Sequence, residues 1–136
     1  MNERMLDFLL PAEMAKKAEE VGVTKAKMGV LKSLVLSVLA GAFISFGAIF
    51  STTVTAGSNM SFGITKLIGG IVFSLGLILV IVGGAELFTG NNLIVMAWAS
   101  RKVNTLELLR NWVLVYSGNL FGAFSMAIMM FASGQY

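Results

Sequence analysis

Cysteine and histidine are both missing from this sequence, and proline occurs once, at Pro11. Without cysteine there is no disulfide framework and no thiolate metal site. Without histidine the chain lacks the commonest metal ligand and the one side chain that titrates near neutrality unperturbed. Acids are scarce as well, and from Val21 to Leu106 only Glu86 is acidic. No Ser/His/Asp set, no pair of carboxylates in the apolar part and no phosphate loop can be assembled. The expectation is a chain that is not an enzyme, with no catalytic residues, no metal, no cofactor and no nucleic-acid partner. What remains is hydrocarbon: 57% of residues are apolar and mean hydropathy is +0.84. That is a membrane composition.

The few charges are unevenly placed. Residues 1–32 hold Arg4, Lys16, Lys17, Lys25, Lys27 and Lys32. Met1-Asn2-Glu3-Arg4 does not start a signal peptide, and the Phe8-Leu9-Leu10 patch is too short for one. From Pro11 a short helix is expected, with proline in its first turn. Glu13 with Lys17 and Lys16 with Glu20 are spaced for i,i+4 pairs. Met14, Ala18 and Val21 would share one face of a helix lying along the membrane surface or under the bundle.

Residues 33–65 carry no charge. Leu34 to Thr55 is long enough to span a bilayer. Ser37, Gly41 and Ser45 recur every four residues, a stripe that admits a close neighbour. Ala56-Gly57-Ser58-Asn59 is turn chemistry. Lys66 opens a second span with small residues at Gly69, Gly70 and Ser74. Phe73 and Leu77, four apart, point the same way. A third span covers Asn111 to Gln135, after an Asn104 or Thr105 cap with Glu107 at the positive end. It carries Gly118 and Gly122 in close-packing spacing. Trp112 and Tyr116 near one interface and Tyr136 near the other suit an aromatic belt. Basic residues crowd one side of these spans and only Lys66 lies on the other. The positive-inside rule puts the N-terminus in the cytoplasm and the C-terminus outside.

The second span does not run through. Gly83-Gly84-Ala85-Glu86-Leu87-Phe88-Thr89-Gly90-Asn91-Asn92 interrupts it, and a short helix over Asn92 to Ser100 is expected to follow. Irregular backbone at membrane depth survives only when buried in protein or lining a wet cavity. Gly-rich breaks of this kind mark binding sites in transporters. Glu86 sits where a helix dipole disfavours an anion. It needs backbone N–H groups, a basic residue from elsewhere, or protonation, and is read first as a brace of the loop. Thr89, Asn91 and Asn92 are natural N-caps of the short helix; alternatively the Thr89 hydroxyl faces a pathway. Leu87 and Phe88 on such a loop would make an apolar constriction.

These motifs together resemble the formate/nitrite transporter family of bacterial anion channels. They are Leu9-Leu10-Pro11-Ala12-Glu13-Met14-Ala15, Lys66-Leu67-Ile68-Gly69-Gly70, Phe73-Ser74-Leu75-Gly76-Leu77-Ile78-Leu79, Glu86-Leu87-Phe88-Thr89, and Asn111-Trp112 with Tyr116-Ser117-Gly118-Asn119-Leu120. The resemblance covers the whole chain and is nearest to the formate-channel branch. It implies an aquaporin-like fold of six spans in two inverted halves, with the second and fifth helices broken, assembled as a homopentamer. It implies that Phe73, Leu77, Leu87 and Phe88 line the narrow parts of a pore. The loop Glu86, Thr89, Gly90, Asn91, Asn92 would contact substrate and move with the N-terminal helix as a gate. The family's pore histidine belongs to the second broken helix, which this half-length sequence does not contain. A glycine after Thr89 is similar to the nitrite and hydrosulfide branches as well.

The expected fold is therefore an all-α membrane protein: three transmembrane spans with a broken second helix, one half of an inverted repeat. Residues 1–32 form a cytoplasmic amphipathic head, and residues 33–136 the first three-span repeat of a channel domain. Gly41, Gly69, Gly70, Gly118 and Gly122 are expected at helix contacts. The expected setting is a bacterial inner membrane, multi-pass, and the expected cargo is a small monovalent anion. Formate comes first, then nitrite or hydrosulfide. The competing class is a non-transporting membrane subunit whose small-residue faces only assemble a complex.

Overall fold

The structure, a computed structural model, describes residues 10–134. Tyr136 and the residues before Leu10, and with them part of the first motif, lie outside the described residues. Six helices follow in order: α1 Pro11–Ala26, α2 Val30–Thr55, α3 Phe62–Val82, α4 Phe88–Asn91, α5 Ile94–Ala99 and α6 Thr105–Ser133. Among the described residues all regular structure is helical. Helices α2, α3 and α6 are each long and apolar enough to cross a membrane. The three spans and the break in the second are as expected. The spans begin earlier than composition alone suggests, because a helix continues through the interface until a cap stops it.

Helix α2 is central and packs against α3 on one side and α6 on the other. Both seams are closed by glycine. A Cβ on Gly41 would lie 2.2 Å from the Asn119 carbonyl oxygen of α6, and one on Gly122 would lie 2.1 Å from the Val38 carbonyl oxygen of α2. Gly118 faces Ser37, which is fully buried. The α2–α3 seam uses Gly69 against Ser51 and Thr55. It also uses a reciprocal pair that periodicity did not single out, Gly47 against the Phe73 carbonyl and Gly76 against the Phe43 carbonyl. Gly70 differs from the expectation: its Cβ position meets open space. It lies one residue, about 100° of helix, round from Gly69, and so leaves the seam.

The head α1 lies against α5. Its inward face is not Met14-Ala18-Val21, since Met14 and Val21 are exposed. Gly22 and Ala26 are buried instead, with Ala15, Ala18 and Val23 half-buried. Small residues win because the Gly22 Cβ position is only 3.2 Å from the Ala97 Cβ of α5. The expected Glu13–Lys17 pair gives way to a cap: Glu13 Oε2 accepts from Leu10 N–H at 2.9 Å, one of the orphan donors of the helix start. Lys17 pairs with Glu20 at 3.9 Å instead. At the start of α6 the expected cap is Asn104, not Thr105, and Glu107 returns the bond: the two exchange bonds of 2.8 and 2.9 Å in a capping box.

Candidate functional site

The break has a definite construction. Helix α3 ends in a left-handed turn: Gly84 has φ +60, Gly84 N–H bonds Ile81 O at 3.2 Å, and Ala85 N–H reaches back to Val80 O at 2.9 Å. This 6→1 and 5→2 pair is the Schellman motif, which needs a residue without Cβ at the αL position. The chain then runs extended across α2. Glu86 N–H donates to the Leu36 carbonyl at 3.1 Å. The side-chain amide of Asn119 on α6 serves as a substitute peptide group. Its Oδ1 accepts from Phe88 N–H at 2.9 Å, while its Nδ2 donates to Glu86 O at 2.9 Å and Ser37 O at 2.7 Å. Irregular backbone at this depth thus finds partners in neighbouring helices, as it must.

Helix resumes at Phe88, not at Asn92. Helices α4 and α5 are joined by a tightened turn in which Leu93 N–H bonds Gly90 O and Met96 N–H bonds Leu93 O. Together they make a half-length piece of twelve residues, about 18 Å at 1.5 Å per residue. The N-cap positions are Leu87 and Leu93, without side-chain caps. The capping expected of Thr89, Asn91 and Asn92 is therefore corrected. Those residues fall within or after the first turn, where their side chains cannot reach the free N–H groups.

Asn91 does something else. It is fully buried, and its amide donates to Glu86 Oε2 at 2.7 Å and to Asn111 Oδ1 at 2.9 Å. Glu86, also buried, accepts from Lys25 Nζ at 2.7 Å through its other oxygen. Lys25 Nζ in turn bonds Asn91 Oδ1 at 3.0 Å, and Asn111 Nδ2 donates to the Lys25 carbonyl at 3.1 Å. Trp112 Nε1 closes the set on the Asn91 carbonyl at 3.1 Å. The basic residue that Glu86 requires is Lys25, from the last turn of α1, where a cation is favoured by the helix dipole. Among the described residues no buried side-chain nitrogen or oxygen lacks a partner.

Sequence reasoning did not pair Lys25 with Glu86, and it did not assign Asn111 and Asn119 to the site. Two asparagines eight residues apart share one face of an otherwise apolar helix. Intramembrane amides are costly enough that this spacing is a usable signal.

Beside the network lies a concavity of about 440 Å³, lined by Lys25, Leu77, Leu87, Thr89 and Gly90 among others. Leu77 and Leu87 are thus brought together with the exposed Thr89. Phe88 turns away: its ring meets Trp112 and Tyr116 edge-on, at centroid distances of 6.2 and 5.5 Å. Phe73 lies one helical turn from Leu77, on a second concavity of about 480 Å³ shared with Ser51, Thr55 and Lys66. Asn92 is exposed at the end of α4. The arrangement offers no nucleophile or metal cluster among the described residues. It offers a shallow, largely apolar trough with one hydroxyl and the paired Lys25 ammonium and Glu86 carboxylate.

The signature of the formate/nitrite transporter family matches residues 12–136. The chain is 52% identical over 131 residues to the formate channel FocA of Escherichia coli strain K12, covering 96% of this chain and 46% of that protein. It is 39% identical to the formate channel FocA of Haemophilus influenzae, covering 93% and 45%. It therefore spans about half the length of these curated relatives. A solved pentameric formate channel with formate bound superposes with a TM-score of 0.72 at 48% identity, covering 78% of this chain and 42% of that one.

Proposed function

The chain belongs to the formate/nitrite transporter family, and from that premise we propose that it forms one half of a membrane channel for small monovalent anions, formate foremost. The relatives just described are formate channels, and the related solved structure is pentameric with formate bound. By that likeness the assembly proposed here is a homopentamer. Residues 33–136 are its first three-span repeat and residues 1–32 its head, N-terminus cytoplasmic, in a bacterial inner membrane. The one-sided basic residues support this orientation.

The observation that carries the reading is the trough at the break. Leu77 and Leu87 present hydrocarbon, which strips water from an ion. Thr89 offers a hydroxyl at the same place, and Lys25 an ammonium already paired with Glu86, so the attraction there is weak. An anion meets attraction without a closed cage, so it can leave as well as arrive. Phe73 is proposed as a further apolar ring on the same path, and Phe88 as the residue that anchors the loop to Trp112 and Tyr116. The gate is the loop Glu86–Asn92, coupled to the head through the Lys25–Glu86 bond.

Formate-dependent swelling of proteoliposomes holding the full-length protein tests this. The expected result is formate flux well above empty vesicles, lowered by Thr89→Ala. No flux with the pentamer intact overturns the reading in favour of a non-transporting subunit. Competition by nitrite and hydrosulfide in the same assay ranks the anions. Removing residues 1–23 is expected to alter the pH or voltage response; identical currents would reject the coupling of head and gate.

A further inference from the structure

Lys66 is unusually placed. It is the only basic residue between Lys32 and Arg101, and it sits at the end of the bundle away from the other cations. Two general preferences oppose it: basic residues gather at the cytoplasmic end of spans, and a cation near a helix start meets the positive end of the dipole. Among the described residues its ammonium makes no ion pair, and it rests over the Phe62 ring, 5.5 Å from the centroid. Such a contact holds a cation while leaving its N–H donors available to a ligand.

Its surroundings are shaped. Lys66 lines the concavity of about 480 Å³ between α2 and α3, whose inner limit is Phe73. Leu77, the next residue on that face, belongs to the concavity of about 440 Å³ at the break, which holds Thr89 and Lys25. Lys66, Gly70, Phe73 and Leu77 follow one another at steps of four, three and four residues, so they form one stripe along α3. The stripe rises about 16 Å along the α3 axis from Lys66 to Leu77. It passes from a charged bowl over an apolar step to a second bowl that holds Thr89 and the paired Lys25 and Glu86.

We propose that Lys66 is an anion-collecting site: a small carboxylate or similar monovalent anion is drawn by its ammonium into the outer bowl and delivered to the Phe73 step. This rests on the channel reading above and adds a positioning residue to it. Low-dielectric walls on two sides focus the field of a single charge. The attraction is solvent-facing, so salt screens it, with a Debye length of about 10 Å at 0.1 M.

Formate flux through the full-length protein in proteoliposomes, measured at low formate over a series of ionic strengths, is the test. K66Q is expected to lower the flux about threefold at low salt, and the difference is expected to vanish at high salt. K66R should retain the native flux and salt dependence, and K66E should fall below K66Q. Identical salt dependence for native protein and K66Q overturns the proposal. So does a K66Q protein that no longer assembles, since Lys66 would then be a structural anchor. Absence of formate flux in the native protein defeats the channel reading itself, which separates the two failures.

Discussion

The α2–α6 seam and the break at Gly83–Phe88 lie within a few residues of each other in space, yet they are held by opposite means. The seam is closed by what is missing. Gly41, Gly118 and Gly122 remove side chains so that two backbones touch. The break is held by what is added: Lys25, Glu86, Asn91, Asn111 and Asn119 supply hydrogen bonds that an open helix has lost. Lipid gives a helix pair little hydrophobic reason to associate, so the seam relies on close packing. Lipid also cannot solvate a peptide group, so the break relies on side-chain amides and one ion pair. Both meet at Asn119, whose backbone closes the seam against Gly41 and whose side chain closes the break. The gate proposed above is thus built on a seam where the two helix backbones touch.

The largest effect is expected where the seam is filled. Gly122→Leu puts a side chain onto the Val38 carbonyl, and neither backbone can yield without parting the helices. The expected loss exceeds about 3 kcal/mol, read as failure to form the proposed pentamer on size-exclusion chromatography of the full-length protein. Gly70→Ala is the control. It meets open space in this chain and should cost nothing, with a small gain from helix propensity of under about 1 kcal/mol. Equal damage from both would mean that a further chain covers Gly70.

Next comes the buried pair at the break. Lys25→Met leaves Glu86 buried with one partner, and the expected loss is about 3 kcal/mol, the low end for such pairs because Lys25 is a quarter exposed. Lys25→Met with Glu86→Gln should recover a good part of it, since an uncharged amide no longer needs the ammonium. Thermal unfolding in detergent measures both. A double variant as weak as the single would show that the charges are not the issue.

Asn119→Leu removes the amide that stands in for a peptide neighbour. Phe88 N–H and Glu86 O lose partners at once, for an expected loss of about 2 kcal/mol. Hydrogen exchange at Phe88 should rise far more than at Gly118. Uniform exchange across α6 would place the damage in the seam instead.

The two regions also differed in how far the sequence revealed them. Seam glycines repeat at helical spacing, so Gly41, Gly118 and Gly122 could be read from local pattern. Gly70 could not be told from Gly69, because adjacent residues differ only in which way the helix faces. The break itself was visible as two glycines and a carboxylate in an apolar run. Its support was not: Lys25 is 61 positions from Glu86 and Asn119 is 31 from Phe88, and no local periodicity encodes such a distance. The misplaced caps have a similar cause. Asn91 looks like a helix start by residue type, but a buried amide facing Glu86 and Asn111 contributes more than a cap would.

The smallest expected effect concerns a second link between head and bundle, one that faces solvent. Glu19 on α1 accepts from Lys102 Nζ and from Ser100 Oγ, the latter at 2.6 Å. The Lys102 hydrogen bond, then that of Ser100, holds its carboxyl below the ordinary glutamate value. A depressed folded-state value means the link contributes fully above the unfolded value and is lost as pH falls through the folded one. Exposed pairs are weak and screened by salt, so loss of this link on acidification should loosen α1 only slightly. Hydrogen exchange of the α1 amides, followed from neutral pH down through the carboxylate range, should show that step. In Glu19→Gln the amides should already exchange faster at neutral pH and respond less to acid. An acid step in the Glu19→Gln protein as large as in the native one would shift the pH response away from this link.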